Sequence, residues 1–220
     1  MLGVTHIINA MATGACASLL IAPDKPTVQC LMIMSSAIGG ITPDIDFPAG
    51  TKNGKWQRGS LICHFPLCGL LGKFCAKISS HRRFWHTVLA ALIFTIINFS
   101  LWLLCLNILE FFVKSSGFND IVNILDINTN LFSSGITLTQ NISLAICLSF
   151  FFFLGFINHL VLDSCNPHGI PWKFPFDLNL SHKQHIFVPG GLFTTGSTKE
   201  AFIVFIGCIV FSISLFYIVT

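Results

Sequence analysis

The sequence predicts an all-α protein: a polytopic membrane bundle of about five spans with one additional interfacial helix, folded as a single domain over residues 1–220. Three observations predict it. Hydrophobic residues make up 53% of the chain and charged residues 10%, where soluble domains carry about 25% charged residues. Phe occurs 23 times and Tyr once, and Phe suits hydrocarbon because it has no polar atom to satisfy. Apolar runs near the length a span needs, about 20 residues, alternate with polar stretches. The net charge is only +3 and the basic residues form no stripe, which argues against nucleic acid as a partner.

The first run is Ile7 to Ala22, rich in Ala, Gly and Ser, and the second is Val28 to Ile41, short on its own. Pro23-Asp24-Lys25-Pro26 joins them as a tight turn. Small residues such as Ala10, Gly14, Ser35, Ser36, Gly39 and Gly40 permit close helix packing. The N-terminus lacks a basic n-region and a good cleavage site, so the first apolar segment is expected to be retained. Pro43-Asp44-Ile45-Asp46 opens a polar loop over 43–59. Residues 60–80 carry Lys73 and Lys77 and are broken by Gly, which reads as an interfacial or re-entrant helix. Thr87 to Val113 is the longest apolar run, 114–139 is a polar loop, and Ile142 to Leu162 is the fourth run. Residues 163–200 are irregular, with breakers at Pro167, Gly169, Pro171, Pro175 and Pro189-Gly190-Gly191, and Ala201 to Val219 is the last span.

Lys52, Lys55, Arg58, Lys73, Lys77, Arg82 and Arg83 lie in 43–86, against Lys114 alone in 114–139. The positive-inside rule therefore places 43–86 in the cytoplasm. Residues 1–6 and 163–200 share that side. The nine Cys include no CxxC pair. Cys16, Cys30, Cys105, Cys147 and Cys208 sit in apolar runs as small hydrophobes, and Cys63, Cys68 and Cys75 fit no zinc-ribbon spacing. No disulfide framework is expected.

This topology gathers His6, Asp44, Asp46, His81, His86, His159 and Asp163 at one end of the bundle, and together they are the candidate metal ligands. Ionisable groups at membrane depth are costly, so their clustering is a functional signal. His159 and Asp163 lie four apart on one helix face, a platform for zinc or a similar divalent ion, and equally a spacing for a simple hydrogen-bonded pair. Asp44 and Asp46 follow Pro43, and in an extended turn both can face one way. His81 and His86, five apart, can share a site only if His81 precedes the helix and His86 begins it. Arg82 and Arg83 can serve as interfacial anchors and Trp85 as a belt residue. His64, His182 and His185 have no partner by spacing and read as structural, while His168 fits either role.

Thr5-His6, Pro43-Asp44-Ile45-Asp46, His81-Arg82-x3-His86-Thr87 and Gly155-x3-His159-x3-Asp163, followed by Gly169-x-Pro171, together resemble the YdjM-type, LexA-regulated family of inner-membrane predicted metal-dependent hydrolases. The match spans about residues 5–176. The chain departs from the family pattern at Phe47, where members usually have His, and at Arg83-Phe84-Trp85, where they have Gly-x-Thr. The missing His at 47 removes one ligand and leaves the ion count at one or two. A fainter likeness is to zinc-dependent phospholipase C. The resemblance implies a multi-pass inner-membrane hydrolase using a divalent metal, most simply zinc. On that reading Asp46 acts as general base and Arg82 steadies an anionic group, with a phosphoester or lipid-like substrate taken from the bilayer interface. The rival readings are a metal or proton transporter and a scaffold with a closed structural metal site. Charge is nearly absent from the far halves of the spans, which disfavours a transport path.

Overall fold

The computed structural model describes residues 3–47, 50–52, 55–57, 60–64, 66–78, 83–116, 138–174, 176, 184, 188 and 190–219. Among these are six α-helices: α1 (Gly3–Ile21), α2 (Pro26–Ile41), α3 (Pro66–Ile78), α4 (Val88–Ser116), α5 (Leu138–Ser164) and α6 (Thr198–Val219). Five of them, all but α3, are long and apolar enough to cross a membrane, α2 together with the 3-10 turn that extends it to Asp46. Residues 117–137, read above as part of a polar loop, lie outside the described residues, as do His81, Arg82, His182 and His185.

The helices overrun the apolar runs where the chemistry lies. α1 starts before Ile7 and so includes Thr5 and His6, and α5 continues past Leu162 to include Asp163. α2 packs on both α1 and α5, α1 also touches α5, and α4 and α6 flank this trio against α5 and α1 respectively. α4 and α6 therefore present mostly exposed apolar side chains, such as Ile96, Phe111, Phe205 and Phe216. That is the expected lipid-facing pattern, because lipid is as apolar as a core.

Small residues set the closeness of the central trio. A Cβ on Gly39 would collide with the Phe152 carbonyl, and one on Gly155 with the Ser36 carbonyl. Hydroxyls satisfy themselves across the same seams: Ser35 Oγ donates to the Leu148 carbonyl at 2.7 Å, Ser36 Oγ to the Ala10 carbonyl at 2.7 Å. Asn158 Nδ2 donates to Thr13 Oγ1 at 2.9 Å. Towards the other end, Asn141 Nδ2 donates to Asn107 Oδ1 at 3.0 Å and to Glu110 Oε2 at 2.8 Å, tying α5 to α4.

The 43–59 stretch, read above as a loop, contains structure. Thr42–Asp46 is a 3-10 turn continuing α2, with Thr42 Oγ1 bonded back to the Ile38 carbonyl at 2.7 Å. Pro43 fits here because its missing N–H is tolerated in a first helical turn. Gly50–Lys52 (β1) and Lys55–Gln57 (β2) form an antiparallel hairpin with Thr51 opposite Trp56. The Asn53-Gly54 pair is the sequence signal for it. α3 packs on the 42–46 turn through Gly72 and Cys75, and leaves Leu70, Leu71, Phe74 and Ile78 exposed.

All nine cysteines are free. Burial pushes the Cys75 thiol up to about 11 from its ordinary 9.0, and burial also raises Cys63. Only the thiolate is nucleophilic, so at pH 8 on the order of one Cys75 in a thousand is reactive. Alkylation of Cys75, followed by mass spectrometry, should be negligible at pH 8 and rise steeply only as pH approaches 11. Rapid labelling at pH 7 would contradict this packing.

Candidate metal centre

His6 lies in the first turns of α1. Thr5 beside it donates from Oγ1 to Glu200 Oε1 at 2.8 Å. Glu200 sits in the first turn of α6, where a carboxylate is favoured by the helix dipole, and also accepts from the Gly196 N–H. This buried link fixes the start of α1 against the start of α6. Sequence reasoning missed Glu200, whose only signal is that it opens an otherwise apolar span.

Asp44 comes from the 3-10 turn after α2. His86 comes from a second 3-10 turn, Phe84–His86, immediately before α4. The extended Thr87 ends that turn and caps α4, accepting from the Ala90 N–H at 3.1 Å. His86 therefore precedes the helix rather than beginning it, because Thr87 takes the cap. Trp85, read above as a belt residue, donates its indole N–H to the Cys75 carbonyl at 3.1 Å. It thereby ties α3 to the His86 turn. His159 and Asp163 face inward, one turn apart, near the end of α5.

Five of the side chains named from sequence meet at one point. His86 Nε2 lies 3.3 Å from His159 Nε2, and each is near both carboxylates. Asp44 Oδ1 is 3.5 Å from His86 Nε2 and 3.7 Å from His159 Nε2. Asp163 Oδ2 is at the same distances, 3.5 and 3.7 Å. His6 Nε2 lies 3.3 Å from Asp163 Oδ1. The His6 ring stacks on His159, centroids 3.6 Å apart and planes 16° apart. His6, His86, His159 and Asp163 are 0–1% exposed, and only Asp44, at 15%, reaches the surface.

His159 Nδ1 is 2.7 Å from the Gly40 carbonyl. A carbonyl only accepts, so Nδ1 carries the proton and Nε2 keeps its lone pair for the centre of the cluster. This backbone contact is the usual device for fixing a ligand imidazole's tautomer and orientation, and no sequence pattern announces it. His159 Nε2 thus faces another imidazole nitrogen at 3.3 Å with carboxylates alongside, a grouping that a proton or cation between the donors can satisfy. The separations of 3.3–3.7 Å compare with the edge of a tetrahedron around zinc, roughly 3.3–3.6 Å for ligand bonds of about 2.0–2.2 Å. Among the described residues two three-donor groups, sharing His159, have donor atoms within 4.8 Å of one another: His6, Asp44 and His159, and His86, His159 and Asp163. Burying such charges costs several kcal/mol per ion on the order-of-magnitude scale, so stability alone does not account for the cluster.

The remaining candidates fall elsewhere. Asp46 is buried but belongs to neither donor group, and its charge is felt by Cys63 and Cys75 on the α3 side. His64 Nδ1 pairs locally with the Ser60 carbonyl at 3.0 Å. His81 and Arg82 lie outside the described residues.

Fold and site together define a helical membrane protein, with five candidate spans among the described residues and a buried cluster of three imidazoles and two carboxylates at one end of its bundle. The family model described as YdjM inner membrane protein matches residues 1–219, and the chain belongs to that family. It is a multi-pass protein of the inner membrane. No curated protein and no solved structure matches the chain, and the likeness to phospholipase C finds no support among these comparisons.

Proposed function

We propose that this protein is a metal-dependent hydrolase acting on a phosphoester or lipid-like substrate at the cytoplasmic face of the inner membrane. The observation that carries the reading is the convergence of His6, Asp44, His86, His159 and Asp163, drawn from four separate stretches of chain, with His159 oriented by a backbone carbonyl. Nitrogen and carboxylate donors in this mixture suit zinc or a similar divalent ion. When bound, such an ion supplies Lewis acidity and lowers the pKa of water towards about 7.

The protein's own groups supply the rest. His159, His86 and Asp163, all buried, would hold the ion. Asp44, the member of the cluster that reaches the surface, would take the proton of the attacking water. The water oxygen forms the new P–O bond, the ester P–O bond breaks, and the proton passes to the leaving alkoxide. An interfacial substrate is supported by α3, which packs on the Asp44 turn and exposes Leu70, Leu71, Phe74 and Ile78 beside Lys73 and Lys77. An apolar face flanked by lysines suits an anionic lipid surface. The excess of Lys and Arg on this side supports its cytoplasmic placement.

Metal analysis of detergent-purified protein tests the reading. Wild type should carry stoichiometric divalent metal, and a folded His159→Ala variant should lose most of it. Metal-free wild type that also fails to take up zinc, manganese or cobalt would remove the basis of the proposal.

A further inference from the structure

We propose that the cluster is built for two divalent cations, with Asp163 as the carboxylate that bridges them. This rests on the cation-binding reading above and goes beyond it in number and in the division of labour among the ligands.

The stacked pair His6 and His159 carries the argument. An imidazole lone pair lies in the plane of its ring. Two rings stacked 3.6 Å apart with planes 16° apart direct their nitrogens along nearly parallel planes that do not meet within bonding distance. One ion midway between them would lie well out of both planes. Each ring instead faces its own oxygen of Asp163: His6 Nε2 is 3.3 Å from Oδ1, and His159 Nε2 is 3.7 Å from Oδ2. His86 joins the second side, 3.5 Å from Oδ2.

The ring spacing falls in the range of two-metal hydrolytic sites, where ions lie about 3.5–4 Å apart. A syn–syn carboxylate with one oxygen on each ion is the natural bridge at that spacing. The number of donors agrees. A catalytic zinc with an open position uses three protein ligands, and five residues converge here. His6 supports the division independently. It is 1% exposed, and its Nδ1 has no hydrogen-bond partner among the described residues, so no hydrogen bond at that edge explains its burial. The assignment is therefore His86, His159 and Asp163 Oδ2 for one ion, and His6 and Asp163 Oδ1 for the other, with Asp44 close to both sets.

Charge gives this arrangement a consequence for substrate. Two divalent cations against Asp44 and Asp163 leave a net +2 in a buried pocket, which a dianionic phosphate monoester neutralises. A single ion would leave the pocket neutral and indifferent to substrate charge.

The test uses the full-length protein in detergent, stripped with a chelator and titrated with Mn2+. Metal per chain is measured by mass spectrometry, and spin coupling by electron paramagnetic resonance. Two Mn2+ per wild-type chain with an exchange-coupled spectrum are expected, and His6→Ala or His6→Gln should retain one ion with an uncoupled spectrum. If either variant fails to fold, the wild-type stoichiometry and spectrum decide alone. One uncoupled Mn2+ per wild-type chain overturns the two-ion proposal while leaving a one-ion hydrolase standing. No bound ion under any loading overturns both.

Discussion

Replacing Asp163 by Asn should lower divalent-metal affinity by more than about 100-fold. Loss of an outer-shell partner costs about 10–100-fold, and Asp163 faces all three imidazoles directly, His6 through Oδ1 and His86 and His159 through Oδ2. Asn keeps the shape of the side chain and removes the negative charge, so the α5 helix and its packing should persist. The amide brings two N–H donors towards nitrogens whose lone pairs point inward, which disfavours a cation there. Metal titration by calorimetry and the thermal melt in detergent should therefore separate, with binding lost and melting of the metal-free protein little changed. A variant that binds metal like wild type would show that Asp163 is a structural partner of His6 alone.

The second large effect is expected at Gly155. Its missing Cβ lets α5 lie directly against the Ser36 carbonyl of α2, and Gly39 permits the reciprocal approach to Phe152. Gly155→Val forces the two helices apart. Overpacking of this kind costs about 1–3 kcal/mol, and here the backbone itself must move. The functional loss should exceed the stability loss. α2 brings Gly40 and Asp44 to the centre while α5 brings His159 and Asp163, so the 2.7 Å contact from His159 Nδ1 to the Gly40 carbonyl cannot survive the separation. Gly155→Val should melt earlier and bind little metal. Ile96→Ala, on the lipid-facing surface of α4, should retain full metal content. Normal binding by Gly155→Val would mean that the α2–α5 seam does not position the ligands.

Much of the architecture is legible in the chain. The five spans follow from apolar length alone, since hydrocarbon tolerates only helices that satisfy their own backbone. Their alternation then puts His6, Asp44, His86, His159 and Asp163 at one end without any tertiary information. The His159–Asp163 pair is visible as an i,i+4 spacing. Asp46 shows the limit of such reasoning: two residues from Asp44 in a presumed extended turn, it could share the same face. The 3-10 geometry of Thr42–Asp46 brings Asp44 to the histidines, while the charge of Asp46 is felt by Cys63 and Cys75. The strands at 50–52 and 55–57 have a local signal in Asn53-Gly54, whereas the tie from Trp85 to α3 depends on a partner segment that no local pattern specifies.

Membrane class, the candidate spans and the end of the bundle at which the ionisable residues collect can all be read along the chain, because apolar length and the alternation of spans are properties of one dimension. Three-dimensional packing was needed to show which nitrogen of His159 faces the centre, that Asp44 approaches the histidines, and that His6 and His159 stack and face opposite oxygens of Asp163. Those are distances and directions between residues as many as 157 positions apart in sequence (His6 to Asp163), set by how closely Gly39 and Gly155 allow two helices to approach.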